Sequence, residues 1–193
     1  MNKNAFTLAE VLITLGVIGV VAAMTIPTLI QNHKRSVVET RLAKFYSTIN
    51  QAFKMSEIDN SEPETWDELT KTNAEEWYNK YLAKYLKSTK IETSVINNGR
   101  LQIVDIYFSD GSYLQFASDG PNFYPIASNK LKAKRQAGKD YFPFIYKNGA
   151  MIPYENADEE KYGCRADAQN PALCTKLIQE NGWKIPKDYP FRF

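Results

Sequence analysis

One carboxylate, Glu10, stands at the mouth of an apolar run covering residues 11–26, within MNKNAFTLAEVLITLGVIGVVAAMTIPTLIQNHKR. An unpaired charge beside a membrane-length apolar segment costs several kcal/mol, so the chemistry it calls for is pairing with a cation. Other reactive side chains are scarce. The only histidine, His33, lies just after the apolar run beside Lys34 and Arg35 and reads as a solvated interfacial residue. A single His argues against a zinc site and against Ser-His-Asp or Cys-His catalysis. Glu159-Glu160 reads as a solvated charge run, and no Gly-rich phosphate loop occurs, so no catalytic residues are assigned and an enzyme is not expected. Two cysteines, Cys164 and Cys174, bound the polar segment GCRADAQNPALC. A disulfide is the natural reading if this part lies outside the cytoplasm, contributing about 3 kcal/mol by loop closure. A two-cysteine metal clamp would lack nearby histidines. Lys130, Lys132, Lys134, Arg135 and Lys139 form a basic stretch. With no aromatic residue interleaved to stack bases, it reads as an exposed loop, and nucleic acid is not an expected partner.

The elements that must position these residues follow from the hydropathy pattern. The 193 residues suggest one domain plus an appended segment, and Lys+Arg 24 against Asp+Glu 22 points to no polyanionic partner. Residues 8–30 are long enough to cross a bilayer as a helix, at about 1.5 Å per residue over roughly 30 Å. A secretory signal could be cut near Ala22-Ala23, but its apolar core would be shorter and would not begin with an acid. A plain anchor explains the length and leaves Glu10 unexplained.

AFTLAEVLITLGVIGVVAAMTIP resembles the N-terminal segment of type IV prepilins and type II secretion pseudopilins, through Phe6, Thr7, Leu8, Glu10, Gly19 and Ala22 and on to Ala23, Ile26 and Pro27. The resemblance implies a leader, residues 1–5, cut between Ala5 and Phe6 by a prepilin peptidase that then methylates the new amine. Ala5 replaces the usual Gly, which implies slower rather than abolished processing. Glu10 falls on the family's glutamate, and its partner would be the Phe6 amine of a neighbouring subunit, a charge pair that fixes axial register. Pro27 falls on the helix-kinking proline, where a backbone donor is lost, and Gly16 and Gly19 lower helix propensity nearby. Asp119, Asn122 and Asp140 resemble positions in a "D-G-P-N … G-x-D-x-F" loop of some pilin-like heads, whose oxygens could hold Ca²⁺, the one cofactor considered.

Beyond Pro27, Val38, Leu42, Phe45, Ile49, Ala52 and Phe53 recur at three- and four-residue steps, an amphipathic helix to about Ile58. A second helix is expected after Asn73, with Glu75 and Glu76 in its first turn and a core stripe through Trp77, Tyr78 and Tyr81. Residues 101–108 and 112–118 flank Asp110-Gly111, and residues 141–147 and 150–155 flank Asn148-Gly149, two hairpin signals. Three or four antiparallel strands would then cover the outer half of the long helix. A short helix should end at Gly182, followed by an extended, packed WKIPKDYPF tail.

The expected fold is α+β, a long helical stem packed on a small antiparallel sheet. It divides into a leader (1–5), a transmembrane and polymerisation helix (6–30), an amphipathic stem (31–58) and an extracytoplasmic head (59–193). The expected function is a pilin-like structural subunit of a type IV pilus or a type II secretion pseudopilus. The alternatives are a minor pilin with an adhesion or DNA-uptake head, and a membrane-tethered enzyme. The expected partners are other pilin or pseudopilin subunits, the prepilin peptidase, an inner-membrane assembly platform and membrane lipid. The protein would be single-pass in the inner membrane before entering a filament.

Overall fold

The computed structural model describes residues 7–96, 98–118 and 120–193. The chain is α+β: a long helix α1 (Leu8–Asn60) precedes a six-stranded sheet. Two compact units divide it, Met1–Ser36 with Phe193, and Val37–Arg192.

In the first unit residues 8–36 are helical throughout, and their side chains are exposed almost without exception. Leu12, Ile13, Ile18 and Met24 are each more than 60% exposed. The helical assignment runs unbroken through Pro27.

The second unit is organised around the remaining turns of α1. Val38, Leu42, Phe45, Ile49, Ala52 and Phe53 are all buried, and Ser56 extends the stripe. These are the residues whose spacing predicts one apolar face. Helix α2 (Ala74–Tyr81) follows Asn73 and buries Ala74, Trp77, Tyr78 and Tyr81. Asn73 occupies the N-cap position, but its Oδ1 accepts from Thr70 N rather than from the first turn of the helix.

The sheet is an antiparallel meander, β1 (Lys90–Ile96), β2 (Leu101–Tyr107), β3 (Tyr113–Phe116), β4 (Asn122–Tyr124), β5 (Phe142–Lys147) and β6 (Ala150–Pro153), in chain order. Both predicted hairpins are present, β2–β3 and β5–β6. In the second, Asn148 and Gly149 both adopt positive φ, as a tight two-residue hairpin turn requires. The expectation of three or four strands is corrected to six. Every residue of β1 is exposed, so burial leaves no two-residue rhythm to read. β4 spans three residues between Pro121 and Pro125, too short for a pattern.

The register sorts the sheet into two faces. Val104 opposes Phe116, Ile106 opposes Leu114, and Leu114 opposes Phe123, giving an apolar inner face. Phe45 of α1 stacks on Phe123 at 4.0 Å between ring centroids and meets Phe144 edge-on at 5.2 Å. The other face carries Asp105 opposite Gln115, Tyr107 opposite Tyr113, and Gln115 opposite Asn122. At the far side of β6, Asn50 of α1 donates to Met151 O and accepts from Met151 N, both at 2.9 Å.

After the sheet come α3 (Glu159–Tyr162) and α4 (Cys174–Glu180). Gly182, at positive φ, closes α4 by donating to Gln179 O, as its position predicts. The tail lies over the second unit without forming a strand, burying Ile185 and Phe191.

Candidate functional site

The features that carry function in the sequence fall at the start of α1. Thr7 is its N-cap and Glu10 the third helical residue. Thr7 N and Thr7 Oγ1 both donate to Glu10 Oε2 at 2.8 Å, and Glu10 N donates to Thr7 Oγ1 at 3.2 Å. This is a reciprocal capping box, two otherwise orphaned amides satisfied by two side chains. Sequence reasoning assigned Glu10 to a charge pair between subunits and missed its local role, although the T-x-x-E spacing was the available signal. Within one copy of the chain, then, the carboxylate is held by neutral donors. Ala5 and Phe6 lie outside the described residues.

Beyond the box the helix satisfies its own polar groups. Thr14 Oγ1 donates to Val11 O and Thr25 Oγ1 to Val21 O, both at 2.9 Å, so neither of these two hydroxyls is left free on the apolar surface. Cβ atoms built at Gly16 or Gly19 would meet nothing within 4 Å. The glycines therefore leave two open patches on an otherwise branched apolar cylinder, where another helix could approach closely. The apolar stretch of α1 has a mean hydropathy of 2.2, and none of it is buried. An apolar surface of this extent needs lipid or other helices to cover it.

The other sequence candidates lie in the second unit. Cys164 and Cys174 form the disulfide. His33 is exposed. Of the calcium candidates, Asp119 lies outside the described residues. Asn122 sits on β4, where its Nδ2 donates to Gly120 O at 3.4 Å. Asp140 is 4% exposed and both its oxygens are engaged, by Lys132 Nζ at 2.5 Å and Gln136 N at 3.0 Å. Among the described residues no group of three or more His, Cys, Asp or Glu could hold a metal ion.

The basic stretch is exposed over residues 131–135, as its sequence predicts, but its first lysine is tied to the sheet. Lys130 Nζ reaches buried Asp105 at 2.6 Å and Tyr107 Oη at 3.1 Å. Burial alone would lower the pKa of Lys130, but these two bonds outweigh it and hold the pKa above the usual lysine range. Asp105 also accepts from Tyr113 Oη. Gly138, at φ +74, lies so close to the disulfide that a Cβ there would come within 2.6 Å of Cys174 Cβ, and its carbonyl accepts from Tyr189 Oη.

Two sequence families match the chain. One, described as a family of unknown function, DUF6613, matches residues 28–193. The other, the prokaryotic N-terminal methylation motif, matches residues 1–26, the segment that contains the capping box and most of the apolar run. No curated protein matches the chain, and no solved structure matches it.

Proposed function

The chain belongs to the DUF6613 family and carries the N-terminal methylation motif of type IV pilins and pseudopilins; from these we propose that it is a structural subunit polymerised through its first helix. The observation that carries the proposal is the motif's coincidence with a helix whose apolar surface its own chain leaves bare. Lipid covers that surface before assembly, and the helices of neighbouring copies cover it afterwards.

In this reading the prepilin peptidase removes residues 1–5 and methylates the amine of Phe6. The inner-membrane platform then feeds the subunit into a type IV pilus or a type II secretion pseudopilus, with residues 59–193 outside the cytoplasm. The disulfide supports that placement, because such bonds persist in oxidising compartments. Glu10 exchanges the neutral donors of Thr7 for the Phe6 amine of the adjoining subunit. Its low dielectric surroundings make that exchange favourable, since a buried carboxylate gains far more from a cation than from neutral hydrogen bonds.

Mass spectrometry of the protein recovered from membranes tests the reading. A chain that begins at N-methylated Phe6 is expected. Recovery of only the intact chain from Met1, or of one starting near Met24, would remove the processing step and the function built on it.

A further inference from the structure

The outer face of the sheet carries a cleft that the filament reading does not use. It has a volume of about 760 Å³ and adjoins a hollow of about 530 Å³, sharing Lys134, Arg135, Tyr141 and Asn170 with it. Volumes of this size suit a bound ligand. Gln115 and Asn122 form the floor, an opposed pair on β3 and β4. One wall is the disulfide-bounded loop, which supplies Gln169 and Asn170. The facing wall is the basic segment, fixed by Gly138 against Cys174 and by Asp140 through Gln136 N.

Charge accounting within that segment decides the ligand's sign. Of its five cations, Lys130 is neutralised by Asp105 and Lys132 by Asp140. Among the described residues, Lys134, Arg135 and Lys139 have no carboxylate within ion-pair distance, and all three line the hollow. Arg135 reaches only Tyr124 Oη, at 3.4 Å. A segment that presents three unpaired cations to one hollow favours an anion there.

The other lining groups decide its class. The tyrosines use their ring faces on one another: Tyr124 stacks on Tyr141 at 5.5 Å, and Tyr154 lies against Tyr162 at 5.4 Å. Stacked bases need free aromatic faces, and each of these rings already has one face set against another, with its hydroxyl left toward the cleft. Among the described residues, no side-chain hydrogen bond occupies the amide of Gln115 or Asn170. Amides and phenol hydroxyls beside cations match a ligand that carries hydroxyls all round and carboxylates at intervals. We infer that this cleft binds an acidic polysaccharide of the uronate type, with the carboxylates at Lys134, Arg135 and Lys139 and the sugar hydroxyls at Gln115, Asn122 and Asn170. The site stands on the geometry of the second unit, so its failure leaves the filament reading intact, and the reverse also holds.

The test titrates the full-length protein in detergent micelles with oligogalacturonate by calorimetry. Maltodextrin of equal length, oligo-dT and poly-glutamate serve as competing ligand classes. Oligogalacturonate should bind, and more weakly as salt rises. The Lys134→Ala/Arg135→Ala/Lys139→Ala variant should lose about tenfold or more in affinity, as expected for charge-assisted hydrogen bonds. Asn170→Ala should lose affinity with the salt dependence unchanged. Lys54→Ala/Lys147→Ala, which removes exposed lysines elsewhere, should bind as the parent does. Equal melting temperatures show that the variants fold. No binding of oligogalacturonate at millimolar concentration overturns the inference, as does tighter binding of maltodextrin, oligo-dT or poly-glutamate. Full affinity in the triple variant overturns it as well.

Discussion

The two stretches of α1 are written in different codes. Up to Ile30 the apolar residues surround the helix on all sides, and the chain buries almost none of them. From Val38 to Ser56 they keep to one face, and that face is the spine of the core. The first code leaves its partner to be found outside the molecule, while the second finds it in the sheet. A single unbroken helix therefore serves two solvents, and what changes along it is which side chains are greasy rather than how the backbone is folded.

Substitutions should separate the two codes. The largest effect is expected from Glu10→Leu, which should still insert in membranes. Its recovery in sheared filaments should fall at least about tenfold, since each 1.4 kcal/mol of lost pairing is a factor of ten. The melting temperature of the second unit should stay at the parent value. Undiminished incorporation would show that the carboxylate does no more than cap its own helix. Phe45→Ala should do the opposite, costing about 3–5 kcal/mol in denaturant unfolding through the cavity left against Phe123 and Phe144. Leu15→Ala, equally apolar but 61% exposed, should leave the same unfolding curve within about 0.5 kcal/mol.

A smaller loss, about 3 kcal/mol by loop closure, is expected on reducing Cys164–Cys174, read as a lower urea midpoint with dithiothreitol. It should also leave membrane insertion unchanged. The smallest effect concerns Asp110. Burial would push its carboxyl up, but hydrogen bonds from Lys44 and Ser112 outweigh this and hold it down at about 2. Since that lies below the unfolded value of about 3.9, its contribution is present above about pH 4 and is lost as pH falls toward 2. Asp110→Asn should flatten that acid-side decline by less than about 1 kcal/mol, because Lys44 is largely solvated. Urea midpoints at pH 5 and pH 2.5 would measure it.

What the sequence made legible follows the same division. Periodicity found the apolar part of the buried stripe of α1, all but Ser56, because residues at three- and four-step spacing must share a face. Asn148-Gly149 and Asp110-Gly111 located two hairpins, because positive φ at their glycines restricts what can stand there. Glu10 was singled out by cost, yet its local partner Thr7 was overlooked beside the larger charge argument. The cleft was illegible for another reason. Gln115, Arg135 and Asn170 lie far apart along the chain and meet only through strand register, the disulfide and the packing of Gly138. Nor does a run of lysines reveal from its spelling that two of them are already spoken for by Asp105 and Asp140.

The amide of Asn50 stands in for a missing neighbour at the end of the sheet, filling the one residue of β6 whose main chain would otherwise invite another. Two positions on, Pro153 has no hydrogen to offer. Crowded copies of this protein are thereby denied template-driven ribbon growth from that side, so any such misassembly must start at β1, where Lys90 and Glu92 put charge in its way.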